Sequence, residues 1–149
     1  MKMYIGTKLI KAAPQECQMD DHNSRAGDPG YVVEYEDGYT SWSPKEVFDN
    51  AYRPLEGLTF GQALEAARAG HRIQRHGWNG KNMFVVFQKG YPEGIPCNAQ
   101  TAEAFNITEG ELFKVQPYLQ MRCADGSHQS WVASQSDVLS DDWRVLTGE

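Results

Sequence analysis

Two stretches of the chain carry side chains able to do chemistry. Residues 68–81 hold Arg68, His71, Arg72, Arg75, His76 and Lys81 with no carboxylate among them, and Trp78 and Asn79 lie inside the run. An indole stacks on a flat ring, an amide reads its edge, and a guanidinium offers paired donors to a phosphate. That combination suits a compact anionic ligand bearing a planar base. The alternative is that Arg68, Arg72 and Arg75 are solvated charges, with only Trp78 buried. The second stretch is Trp131 to Asp137 (WVASQSD), an aromatic followed by small residues that allow close backbone approach and by polar side chains. A helix starting there would aim free N–H groups at an anion. Plain capping by Ser134 or Ser136 is the alternative.

No catalytic set accompanies them. The chain has no G-x-S-x-G, Walker loop, H-E-x-x-H or dinucleotide fingerprint. Gly77-x-x-Gly80 is too short and too common to be a phosphate loop. Asp141 and Asp142 are adjacent, so in a strand they point to opposite faces. We expect no enzyme activity. Cys17, Cys97 and Cys123 are odd in number and far apart, and none of His22, His71, His76 and His128 has a ligand-spaced partner. That argues for unpaired thiols in a reducing cytosol and for neither a metal nor a cofactor. The net charge of −6, from 14 basic and 20 acidic residues, opposes polymeric nucleic acid, whose binding needs many Lys and Arg to displace counterions. No apolar run is long enough to span a bilayer and no secretory signal is evident, so no membrane partner is expected.

The elements that must position these residues can be read from periodicity and punctuation. The length of 149 residues suits one domain or two very small ones. Residues 1–13 read as a strand and 14–29 as a polar loop. Residues 31–42 read as a hairpin turning at Asp37-Gly38, which suits a type I′ turn. A short helix follows, with Ser43 as N-cap, Pro44 at the first position and Glu46 closing a capping box, and with Val47, Phe48 and Ala51 inward. Residues 53–57 are a joint. The clearest helix starts at Thr59, boxed by Gln62, with Phe60, Ala63, Leu64 and Ala67 on one apolar face and Gly70 ending it. Strands are expected at 71–75, 82–88, 118–123, 128–133 and 142–146, a loop at 89–98, and a short helix at 99–105. The fold class is therefore α+β, built on short antiparallel strands and hairpins. One internal echo appears: Asp37-Gly38, Ser41-Trp42, Ser43-x-x-Glu46 against Asp125-Gly126, Ser130-Trp131, Ser134-x-x-Asp137.

Residues 58–81 (LTFGQALEAARAGHRIQRHGWNGK) and 117–143 (PYLQMRCADGSHQSWVASQSDVLSDDW) together resemble the second type of Thoeris anti-defence proteins of phages and prophages. The first carries that family's Thr-Phe-x-x-Ala-Leu helix and Gly-Trp-Asn-Gly-Lys. The second carries its Tyr-Leu-x-Met, Asp-Gly, Trp-x-Ala-Ser-Gln-x-Asp and closing Asp-Trp. The resemblance covers about residues 55–147, so residues 1–54 form an N-terminal extension of unknown role and 55–149 a signal-sequestering domain.

The resemblance implies a sponge. It would bind a cyclic ADP-ribose isomer made by TIR-domain defence enzymes, and possibly cyclic oligonucleotides, without cleaving them, in the cytoplasm of the bacterial host. It also implies a homotetramer with pockets where protomers meet. Carried over residue by residue, the ligand-binding set is Phe60, Trp78, Asn79, Trp131, Ala133, Ser134, Gln135 and Asp137, with Arg75 added for pyrophosphate. Trp78 or Trp131 would stack the adenine, and Asn79, Ser134 and Asp137 would bond ribose or base. His128-Gln129-Ser130 departs from the apolar, often proline-bearing approach to the second Trp, which alters the pocket rim. The competing reading is a phage assembly or protein-interaction module with no nucleotide ligand.

Overall fold

The structure, a computed structural model, describes residues 1–20, 24–78 and 82–147. His22, Asn79, Gly80 and Lys81 therefore lie outside the described residues. The chain divides into two compact units, Met1–Leu58 and Thr59–Glu149.

The first unit is a three-stranded antiparallel sheet in the order β1 (Lys11–Pro14), β2 (Gly30–Glu34), β3 (Thr40–Pro44), followed by helix α1 (Lys45–Ala51) and the short strand β4 (Glu56–Leu58). The expected strand at 1–13 is real only from Lys11 onward, because pairing with β2 begins there, at Lys11 opposite Glu34. Trp42 lies over Gly30 so closely that a Cβ at Gly30 would collide with the indole and with the Ser43 carbonyl. The Trp42 Nε1–H donates to the Gln15 carbonyl at 2.8 Å. Helix α1 packs through Phe48, whose ring stacks on Tyr31 at 4.1 Å and meets Tyr52 at 5.0 Å.

Two expectations fail in this unit. The hairpin turn is not type I′: only Gly38 has positive φ (82°), while the Gly38 N–H donates to the Tyr35 carbonyl and the Tyr35 N–H to the Tyr39 carbonyl. This is a three-residue loop ending in a left-handed glycine, and the Asp37 carboxylate accepts the Tyr39 N–H at 3.0 Å, an alternative the aspartate makes favourable. The Ser43 capping box does not form either. β3 runs on through Pro44, which itself sits at the N-cap with no side-chain bond, so Ser43 is spent as a strand residue. Val47 is exposed, as is Ala51.

The second unit opens with α2 (Phe60–Arg68), where Thr59 and Gln62 form the expected reciprocal capping box. At its end Gly70 (φ 99°) donates to the Ala67 carbonyl and His71 to the Ala66 carbonyl, the paired bonds of a Schellman stop. Ala63, Ala66 and Ala67 are buried, while Phe60 and Leu64 are half-buried. Small side chains let the helix axis approach the sheet closely. Strands β5 (Arg72–Arg75) and β6 (Phe84–Gln88) follow, then β7 (Tyr91–Pro96), α3 (Ala99–Phe105), β8 (Leu112–Val115), β9 (Tyr118–Arg122), β10 (His128–Ser130), α4 (Gln135–Val138) and β11 (Trp143–Leu146).

The expected loop at 89–98 is mostly strand β7. It pairs with β8 to make a two-stranded sheet carrying α3 between its strands. Its glycines serve close approach: a Cβ at Gly90 (φ 72°) would meet the Val115 carbonyl. The main sheet of this unit runs β10–β9–β6–β5–β11, each neighbouring pair antiparallel, so the last strand returns beside β5. Register puts Ile73, Arg75, Val85, Met121, Trp143 and Val145 on the face that α2 covers, and Ile73, Val85 and Trp143 are wholly buried there. The α+β class expected from the sequence is the class observed.

Candidate functional site

Both motifs of the second unit meet at one aromatic cluster. Phe60 sits at the first turn of α2, Trp78 follows β5, Trp131 ends the β9–β10 hairpin, and Trp143 opens β11. Trp143 is fully buried and touches the other three, with ring centroids at 5.3 Å to Phe60, 5.5 Å to Trp78 and 6.0 Å to Trp131. Trp78 and Trp131 also meet each other at 6.0 Å with planes crossed at 68°. Edge-to-face contact is the favourable aromatic geometry, since a ring's positive rim meets its neighbour's negative face. It also leaves no parallel slot between Trp78 and Trp131, so a planar base must stack on an outward face of one of them. Phe60, Trp78 and Trp131 are all half-buried, which is what such a platform requires.

Beside the rings lies an ionic lock. The Arg75 guanidinium donates from Nε and Nη2 to the two oxygens of Asp142, at 2.8 and 3.1 Å. Its Nη1 donates to Asp137 Oδ1 at 3.0 Å. The other Asp137 oxygen accepts from the Ser134 N–H at 2.9 Å and the Ser134 hydroxyl at 2.6 Å, while Ser134 Oγ accepts the Asp137 N–H. Ser134 thus caps α4 with a full capping box. The lock reaches the cluster through main chain: the Trp143 Nε1–H donates to the Asp137 carbonyl at 2.8 Å.

Burial pushes the Asp137 carboxyl up, but the bonds from Ser134 and Arg75 outweigh it and its pKa is lowered. Asp142 is lowered chiefly by its bond to Arg75, and Arg75 is raised by Asp142 and then Asp137. A carboxyl whose folded pKa is depressed adds stability above its unfolded value, about 3.9, and loses that contribution as pH falls through the folded one. Urea unfolding should therefore show the midpoint dropping below about pH 4. Asp137→Asn should flatten that drop, and an equally steep drop in the variant would refute the assignment.

The remaining candidate residues are placed as follows. Ala133 is half-buried, Ser134 and Gln135 are exposed at the start of α4, and Asn79 lies outside the described residues. The basic run 68–81 does not gather at one point. Strand alternation sends Arg72 to the face opposite Arg75, where it lies 5.4 Å from the Phe84 ring, and Arg68 lies 5.9 Å from Phe87. Those two cations rest on aromatic rings.

Sequence reasoning placed neither Trp143 nor Asp142 in the site. The signal was present in the Asp-Trp pair that closes the second motif, but their roles depend on β11 lying beside β5. An open cleft of about 500 Å³ in the first unit, walled by Asp28, Pro29, Pro44, Lys45, Glu46 and Asp49 among others, contains none of the candidate residues.

This part of the chain is similar to known proteins. Residues 58–146 match the Tad2-like family, described as the Thoeris anti-defense 2-like domain. A protein of Bacillus phage SP01 named Thoeris anti-defense 2 is 32% identical over 93 residues, covering 60% of this chain and 96% of that protein. Both motif segments, with the cluster and the lock they form, fall inside the matched range. The chain belongs to the Thoeris anti-defense 2-like family, and with that membership goes a phage anti-defence role.

Proposed function

We propose that this protein acts as a sponge: it binds a cyclic ADP-ribose isomer made by TIR-domain defence enzymes, holds it intact, and so lowers the free messenger. The observation that carries the reading is the convergence of Trp78 and Trp131, distant in sequence, on the buried Trp143. Two half-buried indoles, with the exposed Ser134 and Gln135 three and four residues beyond Trp131, would offer a stacking surface and hydrogen-bonding groups, the pairing a nucleotide needs. Asn79, next to Trp78 in sequence, would read the base or ribose edge. The same surface suits cyclic oligonucleotides, which present similar bases.

The mechanism is affinity alone. Asp137 and Asp142 are both engaged by the Arg75 guanidinium, so their oxygens serve the lock. Each site takes one molecule, so the protein must accumulate to the messenger's concentration. A nanomolar Kd, about −12 kcal/mol, demands an enclosed pocket. Val132 within the motif and Val138 and Leu139 just after it, 89%, 45% and 74% exposed, add apolar surface. In the homotetramer proposed here a neighbouring protomer covers them and closes the pocket. The same patch is what favours the second reading, a protein-interaction module with no nucleotide.

Native mass spectrometry of the purified protein with mixed cyclic ADP-ribose isomers and cyclic dinucleotides separates these readings. A tetramer carrying one nucleotide mass, released unbroken on heating, is the expected result. Release of a hydrolysed nucleotide would make the protein an enzyme, and no bound nucleotide would leave the interaction module.

A further inference from the structure

We infer that Arg75 is a positioning residue rather than the receptor for the ligand's pyrophosphate: gripped by Asp142 and Asp137, it holds the α4 turn against Trp143 and so sets where Trp78 and Trp131 stand. The inference deepens the sponge reading and rests on it for the role of the two indoles.

Three of the five guanidinium N–H donors are spent on carboxylates, two of them side by side on Asp142. Paired bonds to a planar group fix its orientation as well as its position. Asp137 then serves two elements at once. Its carboxylate joins Arg75 to the Ser134 cap, and its carbonyl takes the Trp143 Nε1–H. Trp143 in turn abuts Trp78 and Trp131. Only Val132 and Ala133 separate Trp131 from the capping serine, so a shift of the α4 turn must carry the Trp131 ring with it.

Charge points the same way. One cation stands against two carboxylates, so the lock carries a net negative charge and an arriving phosphate would meet two anions already paired with the guanidinium. The side chains of Arg75 and Asp137 are only 21% and 13% exposed, which keeps the contact from loosening in water.

With both Asp137 oxygens taken by Arg75 and Ser134, Asp137 belongs to the lock rather than to the ligand contacts, and the two roles of Arg75 give opposite signs for one substitution. Asp137→Asn removes a competing anion while leaving an oxygen for the Ser134 cap. A pyrophosphate-binding Arg75 would then bind more tightly, whereas a positioning Arg75 loses its hold and affinity falls. Titration calorimetry with the cyclic ADP-ribose isomer made by a TIR-domain enzyme should give weakening of about tenfold for Asp137→Asn, the mid-range for residues sharing a network. Arg75→Lys and Arg75→Met should weaken binding to the same degree, because an ammonium keeps the charge but cannot bridge two carboxylates in a fixed plane.

Near-UV circular dichroism of the ligand-free proteins reads the crossed indoles directly. It should change in all three variants while the far-UV spectrum stays that of the wild type. Tighter binding in Asp137→Asn, near-normal binding in Arg75→Lys, or an unaltered near-UV spectrum would each overturn the inference. If the wild type binds no cyclic nucleotide, the sponge reading fails by itself, and the near-UV comparison still decides whether Arg75 positions the tryptophans.

Discussion

In the sponge proposed above, one of Trp131→Ala and Trp78→Ala should cost the protein most of its hold on a cyclic ADP-ribose isomer, and the other a smaller part. Stacking a base on an aromatic face is worth about 1–3 kcal/mol, so loss of the ring that carries the adenine should weaken binding by roughly 5- to 150-fold. The crossed geometry sharpens the expectation. With planes at 68°, the two indoles cannot share the base between them as parallel plates. One variant should therefore show the full stacking loss, and the other a smaller loss from a ring that has lost its neighbour's edge. Titration calorimetry on both proteins measures this. Two variants that bind like the wild type would remove the tryptophans from the site even if binding itself stands. An apolar exchange such as Trp131→Phe should recover part of the loss, because a smaller face remains.

Trp143→Ala should have the largest effect on stability of any substitution in the second unit. The ring is fully buried, packs against three other aromatics and satisfies its own N–H on the Asp137 carbonyl. Truncating a buried tryptophan to alanine costs about 3–5 kcal/mol, a large share of the 5–15 kcal/mol typical of a whole domain. Urea unfolding followed by circular dichroism should show the midpoint displaced to much lower denaturant. Trp143→Phe should fall between, since it keeps apolar volume but loses the indole N–H bond to the Asp137 carbonyl, which retains only the Ser140 hydroxyl. A midpoint near the wild type's in the alanine variant would contradict the packing described here.

Much of the local chemistry is legible in the sequence. Thr59 and Gln62 announce α2, and Gly70 ends it, because capping and left-handed stops depend on residues three or four apart. Ser134 and Asp137 announce α4 for the same reason. The hairpin turns were legible only in location. Asp37-Gly38 and Asp125-Gly126 adopt matching loops, with Gly38 at φ 82° and Gly126 at φ 87°, and with each aspartate bonding the N–H two residues on. The dipeptide alone does not say whether it occupies the two centre positions or the last two.

The echo between the two segments ends at the cap. Ser134 caps its helix, whereas the corresponding Ser43 is drawn into β3 by pairing with Tyr31. Strand β7 was missed because its glycines and prolines read as loop. Its partner β8 lies across the whole of α3, beyond the reach of local pattern.

By itself, then, the sequence determined the α+β class, the well-capped helices, the turn positions and the two motifs that carry the family. All of these are written in residue types a few positions apart. The tertiary structure decided what the motifs do to one another. Antiparallel pairing of β11 with β5 sets Trp143 opposite Arg75 and draws Asp142 onto the guanidinium. The period-two alternation of β5 sends Arg72 and Arg75 to opposite faces, so a run of basic residues that looks like one patch becomes separate contacts. A pairing between residues nearly seventy positions apart is fixed by which strand order buries the most apolar surface. No local spacing records that, which is why the buried tryptophan and its ionic lock came into view only with the fold.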